Sequence, residues 1–130
     1  MYILDTNILI YFFKGAGRVA SKLLSIEPGN IGIPSIVIYE LKTGIAKSTD
    51  MKKRMGQLLE ICSMVDILPF GEDETAYSAE IRAALEGKGT PIDPYDILIA
   101  GTAMARKSVL VTHNINEFKR INGLELIDWY

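Results

Sequence analysis

Four stretches carry the residues able to do chemistry: Asp5-Thr6-Asn7, Glu40, the pair Asp93 and Asp96, and Thr112-His113-Asn114 followed by Glu117. Each has an ordinary structural explanation by itself. Asp5, Thr6 and Asn7 are good N-caps, Glu40 suits a solvated position on an amphipathic helix, and Asp93 and Asp96 suit a helix start, where the macrodipole favours a carboxylate. Taken together they describe something else. Asp5, Glu40 and Asp96 are hard oxygen donors with no cluster of histidine or cysteine beside them, the donor set of Mg²⁺ or Mn²⁺. Carboxylates gathered without a cation repel one another and raise one another's pKa. A divalent ion removes that cost, neutralises charge on a phosphodiester and acidifies a bound water. The chemistry this predicts is metal-assisted hydrolysis, in an acid-lined crevice that attracts a phosphate backbone only when loaded.

For residues so far apart in sequence to meet, the elements must bring them to one edge. Five short, β-branched, nearly continuous apolar runs, at 2–5, 30–33, 64–68, 108–112 and 124–128, read as strands covered on both faces. Helical patterns lie between them at 7–14, 19–25, 35–47, 51–62, 73–86 and 94–106, with a short turn at 116–120. Ser35 reads as the cap of the third helix and Pro94 as the first residue of the sixth. The glycine-rich stretches 15–17, 27–30 and 87–91 read as loops. This alternation predicts an α/β fold in which a central parallel five-stranded sheet lies between helical layers, residues 1–130 forming one domain. Ligands of such sheets bind beyond the carboxyl ends of the strands. Asp5 ends the first strand, Glu40 lies in the first turns of the helix after the second, Thr112 to Asn114 end the fourth, and Asp96 opens the helix that feeds the fourth.

Composition closes off other chemistries. In 130 residues, 48% of them hydrophobic, the chain can bury a core without staples, and a lone Cys62 excludes a disulfide framework or a multi-cysteine zinc site. The single His113 removes two-imidazole catalysis and reads as a loop residue. A net charge of -2 argues against holding nucleic acid by bulk electrostatics. The basic group Lys42, Lys47, Lys52, Lys53 and Arg54 reads as a solvated face that could guide a phosphate backbone. Tyr11-Phe12-Phe13 reads as core or interface, and Met51, Met55 and Met64 as packing. The opening carries no leader pattern and the apolar runs are too short to span a bilayer, so the expectation is a soluble, cytoplasmic protein.

Four motifs in order, Tyr2-Ile-Leu-Asp-Thr-Asn-Ile-Leu9, Pro34-Ser-Ile-Val-Ile-Tyr-Glu-Leu41 with Gly44, Pro94-Tyr-Asp-Ile-Leu-Ile-Ala100, and Val111-Thr-His-Asn114 with Glu117-Phe118 and Asp128-Trp129, carry a resemblance over essentially the whole chain. It resembles a PIN-domain ribonuclease, and specifically the VapC toxins of bacterial and archaeal toxin–antitoxin pairs. The resemblance implies a PIN-like three-layer α/β/α fold and an Mg²⁺- or Mn²⁺-dependent endoribonuclease. It places the family's three acids on Asp5, Glu40 and Asp96, a fourth and often acidic position on Asn114, and a polar position on Thr112. Thr6 and Asn7 complete the opening motif. Asn114 would orient a ligand or water, and Asp93, where a small residue is expected, could partly replace the missing charge. The family further implies a homodimer and a cognate VapB-type antitoxin whose peptide blocks the crevice, with Tyr11 to Phe13 and the third and fourth helices as contact regions. Its substrates are structured RNAs, transfer RNA in particular. With no histidine pair to cyclise a 2′-hydroxyl, in-line attack by water would leave a 5′-phosphate and a 3′-hydroxyl.

Three other readings fit the acids less well. An aspartyl phosphatase needs a second Asp two residues after Asp5, where Asn7 stands. A signalling receiver domain wants a lysine after the last strand, and none follows Glu125. A binding module whose carboxylates are only caps would gain no stability from Mg²⁺.

Overall fold

A computed structural model describes all 130 residues. In chain order its elements are β1 (Tyr2–Leu4), α1 (Thr6–Lys14), α2 (Val19–Leu24), β2 (Ile31–Pro34), α3 (Ser35–Ala46), α4 (Met51–Cys62), β3 (Asp66–Leu68), α5 (Glu72–Gly87), α6 (Pro94–Ala105), β4 (Val109–Val111), α7 (Ile115–Phe118) and β5 (Leu126–Ile127). The strands form one parallel sheet in the order β3-β2-β1-β4-β5, with Tyr2 opposite Ile31 on one side and Val109 on the other. The chain steps one way through β1, β2 and β3 and the other way through β4 and β5. Right-handed crossovers therefore put α1 to α4 on one face and α5 to α7 on the other, the three-layer arrangement expected from the sequence. The reversal falls between β1 and β4, and a crevice opens at their carboxyl ends.

The strands are apolar because both faces are covered: Ile3, Leu4, Ile31, Ile33, Leu110 and Val111 are all buried. Where β1 ends, the Asp5 backbone N–H still donates to the Val111 carbonyl at 3.2 Å, so the first polar residue is tied to the sheet. Helix α6 is buried nearly all round through Ile97 to Ala103 and packs most closely on α5, where Gly101 faces Ser78. A Cβ at Gly101 would overlap the Ser78 hydroxyl, so the missing side chain sets how near the two helices approach.

Local details depart from the sequence reading. Ser35 is the first helical residue of α3 rather than its cap; Pro34, the last residue of β2, takes that position without a side-chain bond. Residues Pro28–Asn30 form a turn of 3₁₀ helix, which takes Asn30 out of β2. Helix α5 starts at Glu72, because buried Glu74 reaches back to accept the Gly71 N–H at 3.1 Å. Met51 and Met64 are exposed rather than packed, the one opening α4 and the other lying beyond its end, whereas Met55 packs against the core as expected.

Candidate active site

Asp5 is the fixed point of the crevice. Its carboxylate caps α1, accepting the Ile8 N–H at 2.9 Å, and only 4% of the residue is exposed. Burial pushes its carboxyl up to about 6; the Thr112 hydroxyl and the Ile8 amide pull it down, and the charges of Glu40 and Asp128 push it up again. A helix cap alone needs no such environment. The N-cap reading is correct, and the same side chain also faces other acids.

Glu40 lies in the second turn of α3, where its Oε1 accepts the Thr6 hydroxyl at 2.8 Å. That bond joins the first residue of α1 to α3 and sets Glu40 beside Asp5. Asp96 sits in the first turn of α6. There Asp93 is the cap, its Oδ1 accepting the Tyr95 N–H at 2.9 Å and, more weakly, the Asp96 N–H at 3.4 Å. Asp93 caps α6, and its charge also acts on Asp96. The Asp96 carboxyl is pushed up to about 7, by burial first and then by the charges of Asp93, Asp5, Glu40 and Glu117. Those causes bring together residues from the ends of β1 and β2, the start of α6 and the turn after β4.

The loop after β4 is built on Thr112, wholly buried, whose Oγ1 accepts the Asn114 N–H at 3.0 Å. The Asn114 side chain in turn donates from Nδ2 to Glu117 Oε2 at 3.0 Å. Asn114 therefore holds a carboxylate near the position it was expected to fill itself, and Glu117 is the residue that sequence reasoning left without a role. Its signal was the three-residue spacing from Asn114, which a single helical turn brings onto one side. Asp128 was missed as well. It pairs with His113 at 2.8 Å and adds charge beside Asp5. His113 is a loop residue, as expected, stacked on Tyr130 with centroids 4.3 Å apart.

The donor set suits a hard divalent cation. No three of these side chains close around a single point tightly enough to hold an ion by direct bonds from all of them. The fit to a cation rests on donor chemistry alone, hard carboxylate oxygens being the ligands that Mg²⁺ and Mn²⁺ take. Burial raises both Asp5 and Asp96 first and the neighbouring acids raise them further; a bound cation would offset both costs.

Beside Glu40, a groove of about 250 Å³ runs between α1, α3 and α4, lined by Ile10, Phe13, Ile45 and Gly44 and edged by Lys14 and Arg54. No helix of the protein is long and apolar enough to cross a membrane.

The chain is similar to known proteins over nearly its whole length. A family model described as the PIN domain matches residues 2–124. A ribonuclease VapC2 from Rickettsia felis is 40% identical over 131 residues, covering 99% of this chain and 98% of the relative. A tRNA(fMet)-specific endonuclease VapC from Salmonella typhimurium is 34% identical over 128 residues, covering 98% and 97%. Among solved structures, VapBC2 from Rickettsia felis bound to a DNA fragment from their promoter aligns with a TM-score of 0.92 at 38% identity, covering 99% of this chain and 98% of that one.

Proposed function

The chain belongs to the PIN-domain family, among the VapC ribonucleases, and on that footing we propose that it is a divalent-metal-dependent endoribonuclease, the toxin of a VapBC-type pair. The observation that supports the metal dependence is the rise in the carboxyls of both Asp5 and Asp96, caused first by burial and then by neighbouring acids, Glu40 and Asp128 at Asp5 and Asp93, Asp5, Glu40 and Glu117 at Asp96. Asp5, Glu40 and Asp96 would hold Mg²⁺ or Mn²⁺, directly or through water, with Glu117 as the fourth carboxylate. The ion supplies charge neutralisation at the phosphodiester and a more acidic water.

The remaining work falls to the chain itself. Thr6 fixes the Glu40 rotamer, Thr112 fixes the turn that carries Asn114, and Asn114 aims Glu117. The substrate is a structured RNA cut where it is single-stranded, and the name of the Salmonella relative favours transfer RNA. Products carry a 5′-phosphate and a 3′-hydroxyl. A VapB-type antitoxin silences it, a partner supported by the VapBC complexes of its structural relatives, and the reading extends to a cytoplasmic homodimer. The antitoxin peptide docks its apolar side chains in the groove between α1, α3 and α4, from which a basic side chain can reach Glu40.

Incubating purified, antitoxin-free protein with cellular RNA in Mg²⁺, in Mn²⁺ and in excess EDTA, alongside Asp96→Asn, tests the reading. Discrete metal-dependent 5′-phosphate ends that vanish in a folded Asp96→Asn protein are expected. Near-normal turnover by that variant would sink the assignment.

A further inference from the structure

Two tyrosines stand at the rim of the crevice, and nothing described above uses them. Tyr39 and Tyr95 are 54% and 40% exposed, large aromatic side chains left in water. They come from different helices, α3 and α6, yet their ring centroids are 5.7 Å apart at 46° and their hydroxyls approach to 3.4 Å. Tyr11 is closed in by His113 and Tyr130, whereas this pair adjoins no further ring. Each tyrosine is the residue directly before an acid of the site, Tyr39 before Glu40 and Tyr95 before Asp96. Consecutive helical side chains diverge, so the rings flank the carboxylates without sharing their positions, and the charges of Glu40 and Asp93 reach the Tyr95 hydroxyl.

We propose that Tyr39 and Tyr95 form a stacking seat for an unpaired nucleobase of the RNA substrate and so select which phosphodiester is presented to Asp5, Glu40 and Asp96. The inference rests on the ribonuclease reading. It follows from a shortage of other attraction: the chain carries a net charge of -2 and its crevice is lined with acids, so the polyanion gains little from bulk electrostatics. Single-stranded RNA offers splayed bases, and stacking them on aromatic rings adds attraction that does not come from phosphate contacts. Two rings tilted to each other and joined at their hydroxyls present a shaped surface. The seat therefore acts by positioning: it touches the base, and the reacting phosphate lies beyond it.

The test uses the full chain carrying Asp96→Asn, so that binding is read without cleavage, and a single-stranded RNA containing 2-aminopurine as the probe. Tyr39→Ala and Tyr95→Ala should lose the fluorescence quenching and weaken binding by roughly 5- to 100-fold, equally at low and high salt, while Tyr39→Phe and Tyr95→Phe keep both. In the otherwise wild-type chain the Ala variants should raise KM with little change in kcat and spread the mapped cut sites. Unchanged quenching and unchanged cut sites in the Ala variants would overturn the seat. So would Ala variants that turn a dimer into a monomer on gel filtration, since the rings would then belong to an interface between copies. The two readings fail separately. A wild-type chain that cuts no RNA in any metal yet shows tyrosine-dependent quenching removes the nuclease and keeps the seat; one that cuts normally with or without the rings does the reverse.

Discussion

Asp5 serves two purposes that conflict. As the cap of α1 it stabilises a helix end, yet as a buried acid pushed up to about 6 it opposes folding whenever it is charged. The sign follows from proton binding. Asp5 and Asp96 hold protons in the folded state up to about 6 and about 7, and release them near 3.8 when unfolded. The folded state therefore binds more protons between about pH 4 and 7, and the metal-free protein loses stability as pH rises through that window. For Asp5 the two-unit shift corresponds to roughly 3 kcal/mol. Asp5→Asn, which keeps a capping oxygen, should raise the urea midpoint at pH 8, leave it nearly unchanged at pH 4, and abolish cleavage. Mg²⁺ should raise the melting temperature of the native chain at pH 8 far more than at pH 5, where protons compete for the same oxygens. A melting temperature indifferent to Mg²⁺ at pH 8 would return the acids to mere caps. Thr6 tests positioning at the same scale. Thr6→Val leaves Glu40 in place but removes its 2.8 Å donor, and should cost roughly 10- to 100-fold in metal affinity or activity, read by Mg²⁺ titration of the cleavage rate.

Among the elements, α6 bears the strictest demand, because it holds Asp96 while buried on most sides. Its closeness to α5 depends on Gly101 lying against Ser78, whose buried hydroxyl has no hydrogen-bond partner. Helix propensity alone would favour alanine at Gly101 by about 1 kcal/mol. The overlap with Ser78 outweighs that preference, so Gly101→Ala should destabilise by about 1–3 kcal/mol and lower activity by shifting the start of α6. Ser78→Gly added to it should recover much of the loss, a double-mutant coupling measured by denaturant unfolding. Gly44 in α3 is the opposite case. A Cβ there meets nothing within 4 Å, and the residue lines the groove beside Glu40. Gly44→Leu should leave folding and cleavage intact while weakening inhibition by the antitoxin, checked by titrating inhibitor into the RNA cleavage assay.

On the scale of the whole molecule, the site is a product of strand order. Asp5, Glu40 and Asn114 follow β1, β2 and β4, neighbours in the sheet although 35 and 109 positions separate the latter two from Asp5 in the chain. Reversal of the chain path between β1 and β4 opens the crevice, and α6 arrives there from the far face with Asp96. The basic residues Lys42, Lys47, Lys52, Lys53 and Arg54 are all exposed, and none has an ion-pair partner. They remain available to a phosphate backbone at the side of the molecule bearing the groove, as their clustering in sequence suggested.

The sequence by itself determined the alternation of buried strands and helices, the parallel sheet they require and the convergence of Asp5, Glu40 and Asp96 at its edge. These follow from local periodicity and from handedness rules that hold for any chain of this pattern. Tertiary structure alone decided that Asn114 turns to Glu117, that Thr6 holds Glu40, and that Tyr39 meets Tyr95. The first lies within one helical turn, and the other two join helices across 34 and 56 positions, where relative rotation is fixed by packing, as at Gly101 against Ser78. Periodicity says which face of a helix is buried. It says nothing of which polar atom on the remaining faces finds which partner, because that depends on distances set by the assembled core.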